Sequence, residues 1–179
     1  DSVTRVFLGG EYLMRRARGY APYPVPLRRR WREEVLAVGG ELKNTFCFLR
    51  GDRAFLGQHI GDMGPVETME HFQEAVEGLR RLFGFRPRAL ACDLHPDYLT
   101  THWATGSGMP WVGVQHHHAH AVSCMAENGL EGKVIGLVWD GTGYGTDGTS
   151  WGGEFLLCDE KEFIRAAHLQ GYPMPGGDA

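Results

Sequence analysis

Residues 34–60 read EVLAVGGELKNTFCFLRGDRAFLGQHI, and this stretch decides the fold. It begins with an apolar strand that ends at two glycines. The next two segments alternate polar and apolar residues around Gly51 and Asp52, a strong turn signal, and therefore predict a β-hairpin. Lys43 and Asn44 lie at the turn after the first strand, where their side chains could reach phosphate or carbonyl oxygens. We identify both as candidate catalytic residues, although most lysines in such turns are merely solvated.

Residues 134–160, VIGLVWDGTGYGTDGTSWGGEFLLCDE, repeat this order of strand, glycine-rich loop and strand. Between the two hairpins the sequence predicts a helix, a strand, a short helical segment, a strand and a second helix. The first helix carries an apolar stripe at three- and four-residue steps, preceded by Pro65 and followed by Gly84: Met69, Phe72, Val76, Leu79 and Phe83. Alternating strands and helices imply an α/β layered fold, and two hairpins that each open a lobe suggest an internally duplicated architecture.

The composition indicates a soluble globular protein. Of the 179 residues, 42% are hydrophobic and 22% charged, and the net charge of −4 gives no basic field for nucleic acid. No stretch approaches the roughly 20 apolar residues that span a bilayer, and the N-terminus does not resemble a signal peptide. The four cysteines form no C-x-x-C pair, which favours reduced thiols in the cytoplasm. We therefore expect a cytoplasmic protein without membrane or nucleic-acid partners.

The first 30 residues differ from the rest of the chain. Two short strands are predicted there, and then a segment in which Pro22, Pro24 and Pro26 favour extended backbone. This segment is interpreted as a linker that leaves a preceding unit. The sequence thus predicts three parts, at residues 1–30, 31–130 and 131–179, and we expect the chain to be a fragment of a longer protein.

Four histidines occur within five residues, in VQHHHAH at 114–120. With a helix beginning near His116, His116 and His120 lie one turn apart on the same face, about 6 Å between Cβ atoms. Two imidazoles so placed can converge on a cation with N–metal bonds of about 2.0–2.1 Å. His117 and His118 point elsewhere. The alternative interpretation of the pair is a polar helix face.

Asp140 supplies a third candidate ligand. It is predicted to be the last residue of a strand, beside a glycine loop, as is typical of sites where loops gather ligands. Two histidines and a carboxylate suit Zn²⁺ or Fe²⁺. Gly141, Thr142, Gly143 and Gly145 would bring backbone N–H groups close to phosphate, so this loop is the predicted nucleotide or phosphate site. The alternatives are a turn-initiating aspartate and a plain hairpin turn.

Five motifs in order carry a resemblance to a known family: RRARGYAP, GGELKNTF, CDLHPDY, VQHHHAH and DGTGYGTDGTSWGGE. Together they resemble the hydrogenase-maturation carbamoyltransferases of the HypF family. The first motif is similar to the end of that family's YrdC-like domain, and the chain from about Trp31 is similar to its carbamoyltransferase domain. The resemblance implies the two-lobed α/β fold of actin, hexokinase and Hsp70, with the first lobe and the start of a truncated second lobe.

The resemblance also implies a chemistry. The family uses carbamoyl phosphate and ATP, with Mg²⁺, to form carbamoyl-adenylate, and it passes the carbamoyl group to the C-terminal cysteine of HypE during synthesis of the cyanide ligands of [NiFe] hydrogenase. By motif position, His116, His120 and Asp140 fall on the family's metal ligands. A further aspartate ligand of the second lobe has no counterpart before Ala179. The acylphosphatase-like domain, the zinc-finger region and most of the second lobe are likewise expected to lie outside this chain.

Two other functions are compatible with these residues. One is a related carbamoyltransferase that acts on hydroxyl groups or on tRNA, although the three consecutive histidines and the YrdC-like tail favour the hydrogenase family. The other is a non-catalytic module that binds a metal or docks a partner. Binding of metal without nucleotide would favour the second.

Overall fold

The computed structural model describes residues 1–171, so the last part of the predicted second lobe, residues 172–179, lies outside the described residues. The chain forms two compact units, Asp1–Val114 (unit 1) and a second beginning at Gln115 (unit 2). This division follows from the contacts within each unit and does not test the predicted parts at residues 1–30, 31–130 and 131–179, which stay predictions.

Unit 1 is built on a six-stranded mixed sheet with the order β3-β6-β5-β4-β7-β8, beside a two-stranded ribbon β1-β2. Its strands are β1 Val3–Phe7, β2 Gly10–Arg15, β3 Val25–Pro26, β4 Val35–Ala37, β5 Cys47–Arg50, β6 Arg53–Leu56, β7 Ala89–Asp93 and β8 Trp111–Val114. The antiparallel hairpin β5-β6 turns at residues 51–52, as predicted. Strands β4, β7 and β8 are parallel, which brings their carboxyl ends to one edge of the sheet.

Two helices connect the parallel strands, α1 (Val66–Phe83) and α2 (Leu99–Gly106). The predicted start and end of α1 are confirmed. Pro65 precedes the helix in an extended conformation, and Gly84, at φ 63°, ends it in the left-handed region that glycine adopts without strain. Phe72 and Val76 of the predicted stripe are buried, while Phe83 at the helix end is 37% exposed.

The core of unit 1 lies between the sheet and these helices. Phe48 is fully buried and stacks on Phe85, with ring centroids 4.4 Å apart. The segment predicted as a linker also contributes to the sheet, because Val25 and Pro26 pair with Ala54 and Arg53 of β6. Proline is tolerated there because β3 is an edge strand, where one side of the backbone needs no partner.

Unit 2 combines helix α3 (His116–Asn128) with an antiparallel sheet of order β11-β10-β9. The strands are β9 Val134–Tyr144, β10 Ser150–Cys158 and β11 Phe163–His168. The helix and the hairpin β9-β10 were predicted, and β11 was not. The core is small, formed by Ala121, Val138, Leu156 and Cys158. Gly136 keeps the helix close to the sheet, since a Cβ there would lie 3.1 Å from the Cβ of Ala121.

No helix within residues 1–171 has both the length and the apolar character needed to cross a membrane.

Candidate metal centre

Asp140 lies within a strand rather than at its end. The prediction that the strand stops at Asp140 is wrong, because β9 continues to Tyr144 and pairs with β10 over its glycines. Trp151 pairs with Gly143 and Gly153 pairs with Trp139, so residues 140–142 lie opposite Gly152 alone. Such a β-bulge bends the strand and redirects its side chains.

Gly152 permits this bulge. A Cβ at position 152 would lie 2.9 Å from the carbonyl oxygen of Gly141 and 3.1 Å from that of Asp140. Only glycine lets the two strands stay paired at this distance. The bulge that holds Asp140 therefore depends on a residue that sequence reasoning did not select.

Helix α3 begins at His116, as predicted, and places its first and fifth residues beside Asp140. The Nε2 atoms of His116 and His120 lie 2.6 Å and 3.3 Å from Oδ2 of Asp140. The two Nε2 atoms are 3.3 Å from each other. The structure thus brings together all three predicted ligands, with their donor atoms within 4.8 Å of one another.

The donor atoms fit one cation. Tetrahedral ligands with bonds of about 2.0–2.1 Å are themselves about 3.3 Å apart, which matches two of the three separations. Oδ2 of Asp140 is shielded from solvent, and among the described residues no N–H is aligned to donate a hydrogen bond to it. The imidazole of His120 is 52% exposed, which leaves one side of the cluster open.

The other two histidines are buried and contribute no donor atom to this cluster, as predicted. His118 contacts the carbonyl oxygen of Asp159 through Nε2, at 2.7 Å, and packs against Phe163. His117 is fully buried, with Nδ1 3.2 Å from the side-chain amide of Gln115. Burial lowers the pKa of His117, and the neighbouring imidazole of His116 lowers it further.

The predicted glycine loop is mostly strand. Gly141, Thr142 and Gly143 belong to β9, and the turn begins at Gly145, whose N–H donates to the carbonyl of Thr149 at 2.8 Å. That N–H is therefore already satisfied within the hairpin. The loop was mislocated because glycines in a bulged strand have the same sequence signature as glycines in a loop.

Gly143 has a packing role at the cluster. A Cβ there would lie 2.7 Å from Cε1 of His117 and 2.8 Å from Cδ2 of His116. The absence of a side chain lets the first turn of α3 approach β9. Thr142, one residue earlier, accepts a hydrogen bond from the hydroxyl of Ser150 at 3.1 Å. Phosphate binding by these residues stays a prediction.

Asn44 braces the loop after β4. Its side-chain nitrogen donates to the carbonyl oxygens of Val38 (2.9 Å) and Gly40 (2.7 Å), so both amide hydrogens are used within the chain. The expectation that Asn44 donates to a substrate oxygen is therefore replaced by a structural role. Lys43 is exposed and adopts φ 51°, an uncommon conformation for a residue with a side chain. The Asn44 bonds hold this conformation in place.

A buried ion pair supports the hairpin beside the cluster, and sequence reasoning missed it. The carboxylate of Glu154 is 2% exposed and accepts hydrogen bonds from the guanidinium of Arg165 at 2.6 Å and 3.0 Å. Burial has the largest single effect and raises the pKa of Glu154, but the hydrogen bonds from Arg165 and from the Gly152 N–H, together with the positive charge of Arg165, outweigh it and hold the pKa below its usual value. The guanidinium also lies over the Trp151 ring, 4.1 Å from its centroid.

Asp147 completes this network in the turn. It accepts hydrogen bonds from the backbone and hydroxyl of Thr149, at 3.0 Å and 2.7 Å, and from the indole of Trp151 at 2.9 Å. The bonds from Thr149 and Trp151 lower the pKa of Asp147 to about 2. One signal was available in the sequence: Glu154 shares the inward phase of β10 with Leu156 and Cys158, where a carboxylate requires a partner.

Comparison with known proteins now identifies the family. The family described as the HypF Kae1-like domain matches residues 30–127, and the second subdomain of the carbamoyltransferase Kae1-like domain matches residues 136–179. A carbamoyltransferase HypF of Synechocystis sp. is 44% identical over 98% of the chain, and a HypF carbamoyltransferase of Cupriavidus necator is 48% identical over 92%. The chain spans 23% and 21% of the lengths of these relatives.

Crystal structures of two HypF proteins have the same fold as this chain. A crystal structure of full-length HypF in the phosphate- and nucleotide-bound form has a TM-score of 0.92 and 49% identity, over 95% of this chain and 23% of that one. The HypF of T. kodakarensis has a TM-score of 0.89 and 40% identity, over 99% of this chain and 24% of that one. These matches confirm the predicted α/β fold class of the actin and hexokinase type. The chain therefore belongs to the HypF carbamoyltransferase family.

Proposed function

We propose that the protein containing this chain transfers a carbamoyl group from carbamoyl phosphate to the C-terminal cysteine of HypE. In this proposal ATP, with Mg²⁺, is a co-substrate, and carbamoyl-adenylate is the activated intermediate. The reaction would supply the cyanide ligands of [NiFe] hydrogenase in the cytoplasm, without nucleic acid or a membrane as partner. The family supports carbamoyl transfer in general, and the cysteine acceptor is the finer part of the proposal.

The proposed reaction balances in three steps. Water hydrolyses carbamoyl phosphate to carbamate and phosphate. A carbamate oxygen attacks the α-phosphorus of ATP and displaces pyrophosphate, which yields carbamoyl-adenylate. The cysteine thiolate then attacks the carbonyl carbon, the bond to the adenylate oxygen breaks, and AMP leaves with the electron pair. A related HypF has been crystallised with phosphate and nucleotide bound, in keeping with two of these species.

The convergence of His116, His120 and Asp140 is the observation that supports this function best. Three donor atoms at separations of 2.6 Å and 3.3 Å, one of them a buried carboxylate oxygen without an aligned donor, suit a divalent cation, Zn²⁺ or Fe²⁺. When bound, the cation would supply positive charge to offset the charge that develops on substrate oxygens. The exposed side of His120 leaves room for those oxygens.

Other residues of the chain have supporting roles in the proposal. Gly143 lets α3 approach the strand that carries Asp140. The exposed ammonium of Lys43, presented in a braced loop at the carboxyl end of β4, would attract an anionic substrate group. Asn44 acts through that loop. The backbone of Gly141 and the Thr142 hydroxyl remain the candidates for phosphate contact.

The experiment substitutes the ligands in the full-length protein, because the chain is about a quarter of its relatives' length. We expect His116→Ala and Asp140→Ala each to lose stoichiometric metal in elemental analysis of protein purified without a His-affinity step. Both should abolish carbamoyl transfer to HypE and leave carbamoyl phosphate hydrolysis intact.

His118→Gln is the matched control, since this histidine lies on the same helix and contacts Asp159 instead of the cluster. It should keep both metal and transfer. Transfer that persists in a variant shown to lack metal would reject the role of the cation.

A further inference from the structure

An arginine-rich segment crosses the turn of the β5-β6 hairpin. Residues 28–32 read RRRWR. The backbone N–H of Leu27 donates to the carbonyl oxygen of Asp52 at 2.8 Å, and that of Trp31 donates to the carbonyl oxygen of Gly51 at 2.9 Å. The segment is therefore tied to the hairpin at both ends, and its side chains extend from a backbone that is held in place.

A cleft of about 530 Å³ opens beside this segment, within the usual size of ligand clefts, about 300–1,000 Å³. Trp31 is 38% exposed, so its indole is accessible from solvent. The residues that line the cleft, called the arginine cleft below, are Arg30, Trp31, Arg32, Glu34, Arg50 and Gly51.

Two of the charged side chains in the arginine cleft are already used within the chain. Oε1 of Glu34 accepts a hydrogen bond from Nε of Arg50, and Oε2 accepts one from the backbone N–H of Arg86, both at 2.5 Å. The other two guanidinium nitrogens of Arg50 donate to the carbonyl oxygens of Phe83 and Gly84, each at 3.0 Å. Glu34 and Arg50 therefore brace one wall of the cleft.

The other arginines have no anionic partner. Arg28, Arg30 and Arg32 are exposed, and within residues 1–171 their guanidinium groups take part in no ion pair or hydrogen bond. Arg29 lies over the Trp31 ring, 4.8 Å from its centroid. Residues 28–34 and 50–53 together contain six arginines and three carboxylates, whereas the whole chain has a net charge of −4. The cleft is therefore a positive patch on an acidic chain.

The residue types favour a protein partner with an acidic segment. A guanidinium pairs with a carboxylate through two parallel hydrogen bonds, and arginine and tryptophan are among the side chains most enriched at the energetic centres of protein interfaces. Nucleic acid fits less well, because its many phosphates would face a chain whose net charge is −4.

The arginine cleft lies at the edge of the sheet opposite the Lys43 loop. In the antiparallel pair β4-β5, Val35 is opposite Leu49 and Ala37 is opposite Cys47, so the turn at residues 51–52 lies beyond the amino end of β4. Lys43 follows the carboxyl end of β4. A partner held in the cleft therefore leaves the edge that carries Lys43 open.

We propose that the arginine cleft docks an acidic segment of the protein that accepts the carbamoyl group, HypE. This inference rests on the proposed carbamoyl transfer. Docking at this edge would hold the acceptor while its C-terminal cysteine stays free to reach the reacting groups. Attraction between opposite charges should also speed the association, and salt should weaken it.

The first arm of the test measures binding and needs no turnover. Full-length protein is titrated with HypE by calorimetry at about 50 mM and about 300 mM NaCl. We expect Arg30→Glu/Arg32→Glu to raise the Kd roughly 30-fold, the effect of losing one interface hot spot, and to remove most of the salt dependence seen in the wild type. KM for HypE should rise by a similar factor.

Lys133→Glu/Lys161→Glu is the matched control, because it makes the same change of charge at two exposed residues of unit 2. It should bind HypE as the wild type does. The melting temperature of each variant verifies that it is folded. An equal rise of Kd in the control would show that HypE senses only the net charge of the protein, and would overturn the proposal.

The second arm identifies the occupant of the arginine cleft. Arg30→Lys/Arg32→Lys keeps both charges and supplies amines, which a water-soluble carbodiimide joins to a contacting carboxylate as an amide, with loss of water. We expect mass spectrometry to find residues 30 and 32 linked to aspartate or glutamate of HypE. Links only to carboxylates of the full-length protein itself would show that the cleft is filled from within, and would overturn the proposal.

The outcomes separate this inference from the proposed function. A Kd for HypE that does not change in Arg30→Glu/Arg32→Glu would exclude docking here and leave carbamoyl transfer standing. A wild-type protein that binds HypE through the cleft but transfers no carbamoyl group would reject the proposed function alone. Tighter binding of a single-stranded RNA oligonucleotide than of HypE, lost in the same variant, would assign the cleft to nucleic acid and overturn the proposal.

Discussion

Both units of the molecule contain a three-stranded antiparallel meander, β4-β5-β6 in unit 1 and β9-β10-β11 in unit 2. In unit 1 parallel strands and helices complete the layer, and Phe48 in the middle strand is 0% exposed. Within residues 1–171, one face of β9 in unit 2 stays open, with Ile135, Leu137 and Trp139 exposed by 73%, 60% and 71%. Within the described residues, the same local pattern thus yields a covered sheet in one unit and a sheet with one open face in the other.

The two units are stabilised by different interactions. Unit 1 depends on apolar packing, with four phenylalanine rings among its fully buried side chains: Phe46, Phe48, Phe72 and Phe85. Unit 2 has a small apolar core and adds a buried polar network around Glu154 and Arg165. The candidate metal ligands lie in the second unit, where hydrogen bonds fix side-chain direction more strictly than apolar contacts do.

Removing one ring from unit 1 should have the largest effect on stability. Phe48→Ala deletes a fully buried ring that stacks on Phe85, and we expect a loss of about 3–5 kcal/mol in the free energy of unfolding. Hydrogen exchange of the β5 and β7 amides measures it. Trp139→Ala, on the open face of β9, should change the exchange of β10 by less than about 0.5 kcal/mol. Equal losses of stability in Phe48→Ala and Trp139→Ala would show that apolar packing does not distinguish the two units.

Breaking the ion pair of unit 2 should come next. Arg165→Met leaves the buried carboxylate of Glu154 without its partner, so we expect a loss of about 3 kcal/mol, seen as faster exchange of the β10 amides. Arg53→Met is the control, because its contact with Asp52 is exposed and 3.9 Å long, and such pairs contribute about 0–1 kcal/mol. If Arg165→Met and Arg53→Met both lower the free energy of unfolding by less than about 1 kcal/mol, the polar network does not stabilise unit 2.

The stability of unit 2 should also depend on pH through the Glu154–Arg165 ion pair, with a smaller effect than the Arg165→Met substitution. The pKa of Glu154 is lowered in the folded chain, so its contribution is present above the unfolded pKa of about 4.3 and is lost as pH falls through the lower folded value. Exchange of β10, corrected for intrinsic rates, should therefore accelerate below that pH. In Arg165→Met burial remains the largest influence, opposed chiefly by the hydrogen bond from the Gly152 N–H, and we expect the pKa to be raised, so that protonation stabilises the variant and reverses the slope. An unchanged slope would contradict this account.

The reactivity of the four thiols should differ with their burial, without a measurable change in stability. Cys124 of α3 is exposed, whereas burial raises the pKa of Cys47 in unit 1 to about 12 and also raises those of Cys92 and Cys158. Since only the thiolate reacts, iodoacetamide at pH 8 should modify Cys124 well before the others, as followed by mass spectrometry. Cys124→Ala should leave almost no early product. Rapid modification of Cys47 would show that unit 1 opens readily.

Local sequence patterns predict those helix boundaries and turns that depend on residues close together in the chain. The stripe and boundaries of α1, the turn at residues 51–52 and the start of α3 follow from periodicity, glycine and proline placement, and turn chemistry. Strand β11 was missed because its sequence FIRAAH contains a charged residue whose inward partner, Glu154, lies on another strand.

The candidate site was predictable in part for the same reason. His116 and His120 face one way because the α-helix repeats every 3.6 residues, a property of the backbone alone. Asp140 was identified as a ligand although its strand was given the wrong end. Gln115 and Gly152 went unnoticed, because an amide in a cap and a glycine opposite a bulge have no signature until their partners are known.

The sequence by itself determined the order of the elements from β4 to β10, the fold class and the spacing of the two imidazoles. The order and the spacing depend on residues close together in the chain. Only the tertiary structure decided that β9 runs past Asp140, that Asn44 uses its donors on its own loop, and that Gln115 contacts His117. The register between β9 and β10 and the contacts across it set those outcomes. A hydrogen bond between residues distant in sequence is specified by geometry that no local pattern contains.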